Sequence, residues 1–273
     1  MTRSEYAAII CSLSISWSLG NAVSGAQGTA TRTGPHSSAI YSVGPTTHLR
    51  EGLDAWPRII APRNPAVDRA NAIIAAMNQS AANALRNCDD SYRQNFGPTV
   101  PARVPADWDR RITVTMRGPR FIAMTATETS ICDRSYPSND HAAVVFDMTT
   151  GELVSWKTFL PTVDGASARS GESIDGATSP EIAMPSLSDL AVGRADPECK
   201  RALEDSGELV FQIWPDAGRG QLMIKATGQP HVTQACEETI GLTISEARKL
   251  GFSGELLSAI DQAHRIETSS QER

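Results

Sequence analysis

An α+β fold, with helices packed on antiparallel sheet in two similar-sized halves, is what this sequence predicts, and three observations predict it. A helical stripe of apolar residues early in the chain gives way to runs with period-two alternation joined by short turns. The same mixture returns after a segment of small polar residues. Four cysteines fall two and two between these halves.

Arg3 precedes an apolar stretch from Ala7 to Leu19, and Ser24 and Ala26 place small residues at a cleavage position. Residues 1–26 therefore read as a signal peptide, and the stretch is too short to span a bilayer comfortably. Residues 27–50 are rich in Thr, Ser, Gly and Pro without apolar periodicity, which reads as a mobile leader. An α+β domain is expected over 51–265, with halves of about 51–162 and 186–265. A loop over 163–185 joins them, and a polar tail over 266–273 follows.

Asn64 as N-cap and Pro65 at the first helical position open a helix predicted over 65–86. Its apolar face carries Val67, Ala70, Ile74, Met77, Ala81 and Leu85. "RRITVTM" alternates Ile112, Val114 and Met116 against polar residues, "RGPR" is a turn, and "FIAMTATETSI" pairs back. His141 to Asp147 and Glu152 to Trp156 make two further strands around a turn that Asp147, Thr150 and Gly151 shape, the glycine supplying a positive φ.

In the second half, Ser186 and Asp189 can cap a short helix, and Asp196 with Pro197 starts another. "GELVFQIWP" and "GQLMIKA" read as strands across the turn "DAGRG", and a third β-run leads to "ETIGLT". Thr243 and Glu246 fit a capping box, Gly251 ends that helix, and a last helix runs from Gly254 to about His264.

Cleavage of the leader removes Cys11 and leaves Cys88, Cys132, Cys199 and Cys236. No close C-x-x-C pair suggests zinc or dithiol redox chemistry, so two disulfides are the simplest reading. Three connectivities are open. Local pairing, Cys88 with Cys132 and Cys199 with Cys236, is expected, each worth about 3–4 kcal/mol in the loop-entropy model. Disulfides and a leader together place the protein in the periplasm or outside the cell, with no transmembrane anchor after leader removal.

The formal charge of -6, with 40% hydrophobic and 21% charged residues, fits a folded body rather than a disordered chain. It also argues against nucleic acid as a partner, since Arg110 with Arg111 and Arg117 with Arg120 are too sparse for a basic groove. There is no G-x-S-x-G elbow and no Ser-x-x-Lys. The five histidines have no spacing that puts two imidazoles on one metal, and "GRGQLM" lacks the third glycine of a dinucleotide loop. Neither cofactor nor metal is expected, and no residue is assigned a catalytic role. Asp140 with His141 is the strongest acid–imidazole pair, but neighbours on a strand point to opposite faces. With Trp156 and His231 they are instead candidates for a binding rim. The four tryptophans left by leader removal, Trp56, Trp108, Trp156 and Trp214, suit ordinary core packing.

The order of a helix with an Ile/Ala-Asn pattern, paired strands, "FDMTTGELVSWKTFLP" and "ELVFQIWPDAGRGQLMI" resembles one known family. It is the extracytoplasmic domain of unknown function shared by lysozyme-sensing anti-sigma factors and the non-catalytic region of some peptidoglycan deacetylases. Asp147, Thr150, Gly151 and Leu160 stand in matching places, and the resemblance spans roughly Trp56 to Ile260. It implies an exported α+β domain that acts by binding, in some members to a muramidase, in others to the cell-wall polymer. The sequence departs from that family in having no deacetylase segment, no second apolar span, and cysteines that suit an oxidising envelope. The expected function is a non-enzymatic envelope protein, a binding or inhibitor-like module for peptidoglycan or a lysozyme-like protein. The alternatives are a cell-wall hydrolase or deacetylase using Asp140 and His141, and an immunity protein against a delivered toxin.

Overall fold

The long helix α1 (Pro65–Phe96) begins where its cap predicts: Asn64 Oδ1 accepts from the Ala66 N–H at 2.9 Å, with Pro65 in the first turn. This computed structural model describes residues 41–96, 107–132, 137–160, 167–170, 180–229 and 231–271, all within one compact unit, Ser37–Arg273. Residues 1–40, and with them the expected signal peptide, lie outside the described residues. Val67, Ala70, Ile74, Met77, Ala81, Leu85 and Cys88 form the buried stripe of α1, and Cys88 carries it beyond the expected end at 86.

Short strands β1 (Ser42–Val43), β2 (Thr47–Arg50), β3 (Leu53–Ala55) and β4 (Ile59–Ile60) precede this helix. Strands β1 and β2 therefore fall inside the stretch expected as a mobile leader, because strands this short and polar carry no readable alternation. Between β3 and α1 the backbone is held by two asparagines two helical turns apart. Asn78 pairs with both the N–H and C=O of Trp56 (2.8 and 2.9 Å), and Asn71 does the same for Ile59 (2.9 Å each). Their amides supply the partners a neighbouring strand would supply.

Strands β5 (Asp107–Arg117), β6 (Phe121–Ile131), β7 (Ser138–Asp147) and β8 (Glu152–Leu153) complete a six-stranded sheet in the order β2-β3-β5-β6-β7-β8. It is antiparallel apart from the β3–β5 contact. A second, antiparallel sheet runs β13-β12-β11-β10-β9, from β9 (Ser167–Ser170), β10 (Pro180–Ala183), β11 (Val210–Asp216), β12 (Gln221–Thr227) and β13 (Thr239–Thr243). Strands β9 and β10 fall in the segment expected as a connecting loop. The edge strand β9 (SARS) and the four-residue β10 (PEIA) lack the run of β-branched residues that sequence reading relies on.

Four helices belong to the second sheet: α2 (Pro185–Arg194), α3 (Pro197–Asp205), α4 (Ile244–Lys249) and α5 (Gly254–Gln271). Asp196 caps α3, accepting from the N–H groups of Glu198 and Cys199 at 2.9 Å each, and Thr243 with Glu246 closes the capping box of α4. Neither Ser186 nor Asp189 caps α2; Met184 is its N-cap and makes no side-chain bond, the proline at the first helical position setting the start instead. The last helix continues to Gln271, through most of the expected polar tail.

Alternation distributes these elements in layers. Ile122, Met124, Ala142, Val144 and Phe146 face α1, whereas Phe121, Ala123, Ala143 and Val145 join a larger core with the second sheet. In β11, Phe211 and Ile213 pack toward the helices, and Trp214 toward the first sheet. The two halves thus share one core. A bulge at Thr115 links them directly: its carbonyl accepts from Ala217 N–H at 2.8 Å and its hydroxyl donates to the Pro215 carbonyl at 2.9 Å. Both disulfides form as expected, Cys88–Cys132 and Cys199–Cys236.

One pair of charges is buried in this arrangement. Arg110 and Glu128 face each other across β5 and β6 at 3.2 Å, 0% and 4% exposed, and the guanidinium lies 5.1 Å from the Trp56 ring centroid.

Candidate functional site

Strand geometry separates the two residues that looked most like a dyad. Asp140 lies opposite Glu128, on the row of the sheet that faces α1, and accepts from the Ser138 hydroxyl at 2.5 Å. His141 projects to the other side, toward the second sheet. There its Nδ1 lies 3.1 Å from Gln212 Oε1 and its ring packs on Trp214 at 4.6 Å between centroids. A side-chain amide oxygen can only accept, so Nδ1 carries the proton of the neutral ring and Nε2 is left as an acceptor.

Burial pushes the His141 pKa down to about 4, with Lys225 nearby acting in the same direction against the Gln212 bond. Because the folded state holds this imidazole neutral, unfolding takes up a proton between the two pKa values. Its contribution to stability is therefore complete above about pH 6.5 and is lost as pH falls toward about 4. The loss expected is about 3 kcal/mol for a shift of this size. Urea unfolding as a function of pH will show it as a slope that His141→Gln flattens; parallel curves for the two proteins would contradict it.

His141 stands where the inter-sheet layer changes character. On one side of it Ala143, Val145, Ala123 and Phe121 are packed under the second sheet. Level with it and on the other side, the same face of the first sheet carries Thr127, Thr129 and Asn139, all exposed. Arg111 is on this shelf too, paired with Asp109 at 3.0 Å. Across from it the second sheet offers Gln212 and Lys225, which are cross-strand partners, and the segment after β12 brings Glu237 near Lys225. Gln229 donates its backbone N–H to Glu237 Oε1 at 3.1 Å, while its own side-chain oxygen is buried without a hydrogen-bond partner. Burial raises the Glu237 carboxyl above its ordinary range, opposed by that backbone bond and by Lys225.

Of the four residues expected at a rim, His141 borders this shelf, while Asp140 lies on the opposite face of the sheet, toward α1. Trp156 does not reach the surface: it is 3% exposed and packs in the inter-sheet core with Phe159 and Val154. His231 begins the short 3-10 turn His231–Cys236, and its side chain lies outside the described residues. Gln212, Lys225, Gln229 and Glu237 were not singled out from the sequence. The alternating "TATET" carried a signal for the threonine shelf, but a strand with one polar face reads the same whether that face meets bulk water or a ligand.

Two other depressions are less suited to a ligand. An open groove of ≈ 400 Å³ beside α1 is lined by Arg58, Asp68 and Ala72, together with Asn71 and Asn78, whose amides already hold the chain's own backbone. The space of ≈ 20 Å³ beside Cys199–Cys236 has room for about one water. Among the described residues, no three His, Cys, Asp or Glu side chains gather to hold a metal ion, and no helix is long and apolar enough to cross a membrane. No family model matches the sequence, and comparison with curated proteins returns no match.

Proposed function

We propose that this protein is an exported, non-enzymatic binding module of the cell envelope, whose target is peptidoglycan or a lysozyme-like protein. The observation that carries the reading is the polar shelf beside His141: an open stretch of sheet, rich in hydroxyls and amides, fixed to a rigid two-sheet core. Rigid presentation of polar groups favours recognition, since little ordering is needed on binding. The separation of Asp140 from His141 weighs against the hydrolase alternative, because the carboxylate is placed to orient Ser138 rather than the imidazole. Two disulfides suit an oxidising compartment such as the periplasm or the extracellular space. The resemblance in "FDMTTGELVSWKTFLP" points the same way.

Purified protein passed over insoluble peptidoglycan and over immobilised lysozyme is expected to be retained by one of them. Retention on neither removes the proposed targets. Release of soluble muropeptides that disappears in His141→Ala would replace this reading with the enzymatic one.

A further inference from the structure

We propose that the Cys199–Cys236 disulfide is a redox clasp: an external dithiol opens it while Cys88–Cys132 stays closed, and its opening releases the segment between β12 and β13 from α3. The two bridges stand in different surroundings. Cys88 is 5% exposed on the inner stripe of α1, enclosed by Leu53, Leu85 and Trp108, with Cys132 packed against the same cluster. Cys199 and Cys236 are each partly exposed, and their immediate neighbours Glu198, Lys200 and Ala235 lie at the surface. Exchange needs a thiolate to reach one of the two sulfurs, so accessibility decides which bridge reacts first.

The clasped segment is poised to move once the bond is gone. It carries the 3-10 turn His231–Cys236 and bonds within itself: Gln229 N–H to Glu237 Oε1 at 3.1 Å, Glu237 N–H to the Gln234 carbonyl at 3.0 Å, and Glu238 N–H to the Cys236 carbonyl at 2.9 Å. The side-chain oxygens of Gln229 and Gln234 are buried in the closed segment without a hydrogen-bond partner. A buried acceptor left unpaired favours any opening that lets water reach it, so both amides act in the same direction. The disulfide opposes them by joining the turn to the third residue of α3. Opening also takes Glu237 from the neighbourhood of Lys225, and so changes the charge beside the polar shelf whatever target the shelf holds.

The step is a two-electron reduction. One thiolate of the dithiol attacks a bridge sulfur, and the S–S bond breaks with its electron pair on the other cysteine, which takes up a proton. The reagent's second thiol then gives up its proton and closes on the first, forming the reagent's own disulfide and freeing the remaining cysteine as a thiol. Graded dithiothreitol, followed by alkylation and mass mapping of the full chain, tests the order of opening. Cys199 and Cys236 are expected to open at a concentration at least roughly tenfold below that needed for Cys88 and Cys132. Amide hydrogen exchange of the selectively reduced protein should then be faster by at least roughly tenfold over 231–238 and unchanged along α1. Cys199→Ser combined with Cys236→Ser should show the same local exchange without reagent; if that variant fails to fold, the exchange of the reduced parent decides. Opening of Cys88–Cys132 first, opening of both bridges at one concentration, or exchange over 231–238 that stays slow after selective reduction or in the folded double variant would each overturn the proposal.

Discussion

Glu128→Ala is expected to lower the unfolding free energy by about 3–5 kcal/mol, because it removes a carboxylate that compensates the Arg110 guanidinium in a place with no access to water. Arg110 is 0% exposed, so it cannot turn outward to be solvated when its partner goes. Its position is fixed from several sides: the backbone N–H donates to the Gly52 carbonyl at 2.9 Å, Leu53 is its neighbour on β3, and the Trp56 ring lies under the guanidinium. The double variant Arg110→Met with Glu128→Leu removes both charges and leaves apolar side chains of comparable size, so most of the loss should be recovered. Urea unfolding of the parent, the single and the double variant measures this directly. A double variant less stable than Glu128→Ala would mean that the charges themselves, and not their mutual compensation, hold this part of the sheet.

Gly151→Ala comes second, with an expected loss of about 4 kcal/mol. Two causes act at one position. The residue has φ +80°, which an L side chain rarely adopts, and a Cβ there would lie 2.0 Å from the backbone carbonyl oxygen of Ala66. That oxygen belongs to the first turn of α1, which cannot withdraw without disturbing the Asn64 cap and the packing of Val67. Gly207→Ala separates the causes, since Gly207 has φ +79° with nothing within 4 Å of its Cβ position. Only the conformational part, about 1 kcal/mol, is expected there. Equal losses at the two glycines would show that the approach to α1 contributes nothing.

Much of the local structure was readable from residue patterns, and the reasons are physical. Asn64-Pro65, Asp196 and the Thr243–Glu246 box announce helix starts because unsatisfied backbone N–H groups require partners at known offsets. The turn before Gly151 was legible because only glycine takes that φ comfortably. The cysteines divided correctly because each pair lay within a locally connected half. What was hidden depends on contacts between distant segments. Arg110 and Arg111 look alike as adjacent cations, yet strand alternation buries the first and exposes the second. Trp156 looked like a rim residue because it ends a strand, but the second sheet folds over it. Gln212 and Lys225 became site candidates only when β11 and β12 were laid across from His141, a placement that no window of neighbouring residues encodes.

The bulge at Thr115 works as a parity switch. Before it, Ile112 and Val114 point toward α1; after it, Met116 points to the second sheet, although all three are even-numbered on one strand. Counting by twos therefore fails across this position, and the strand belongs to two cores at once. Loss of a single residue here would leave the strand's length almost intact while exchanging the faces of Arg110 and Arg111, taking the first away from Glu128 and turning the second toward it. In evolutionary terms the segment can vary by substitution far more freely than by a one-residue insertion or deletion, and its reading frame along the sheet is as constrained as any side chain in it.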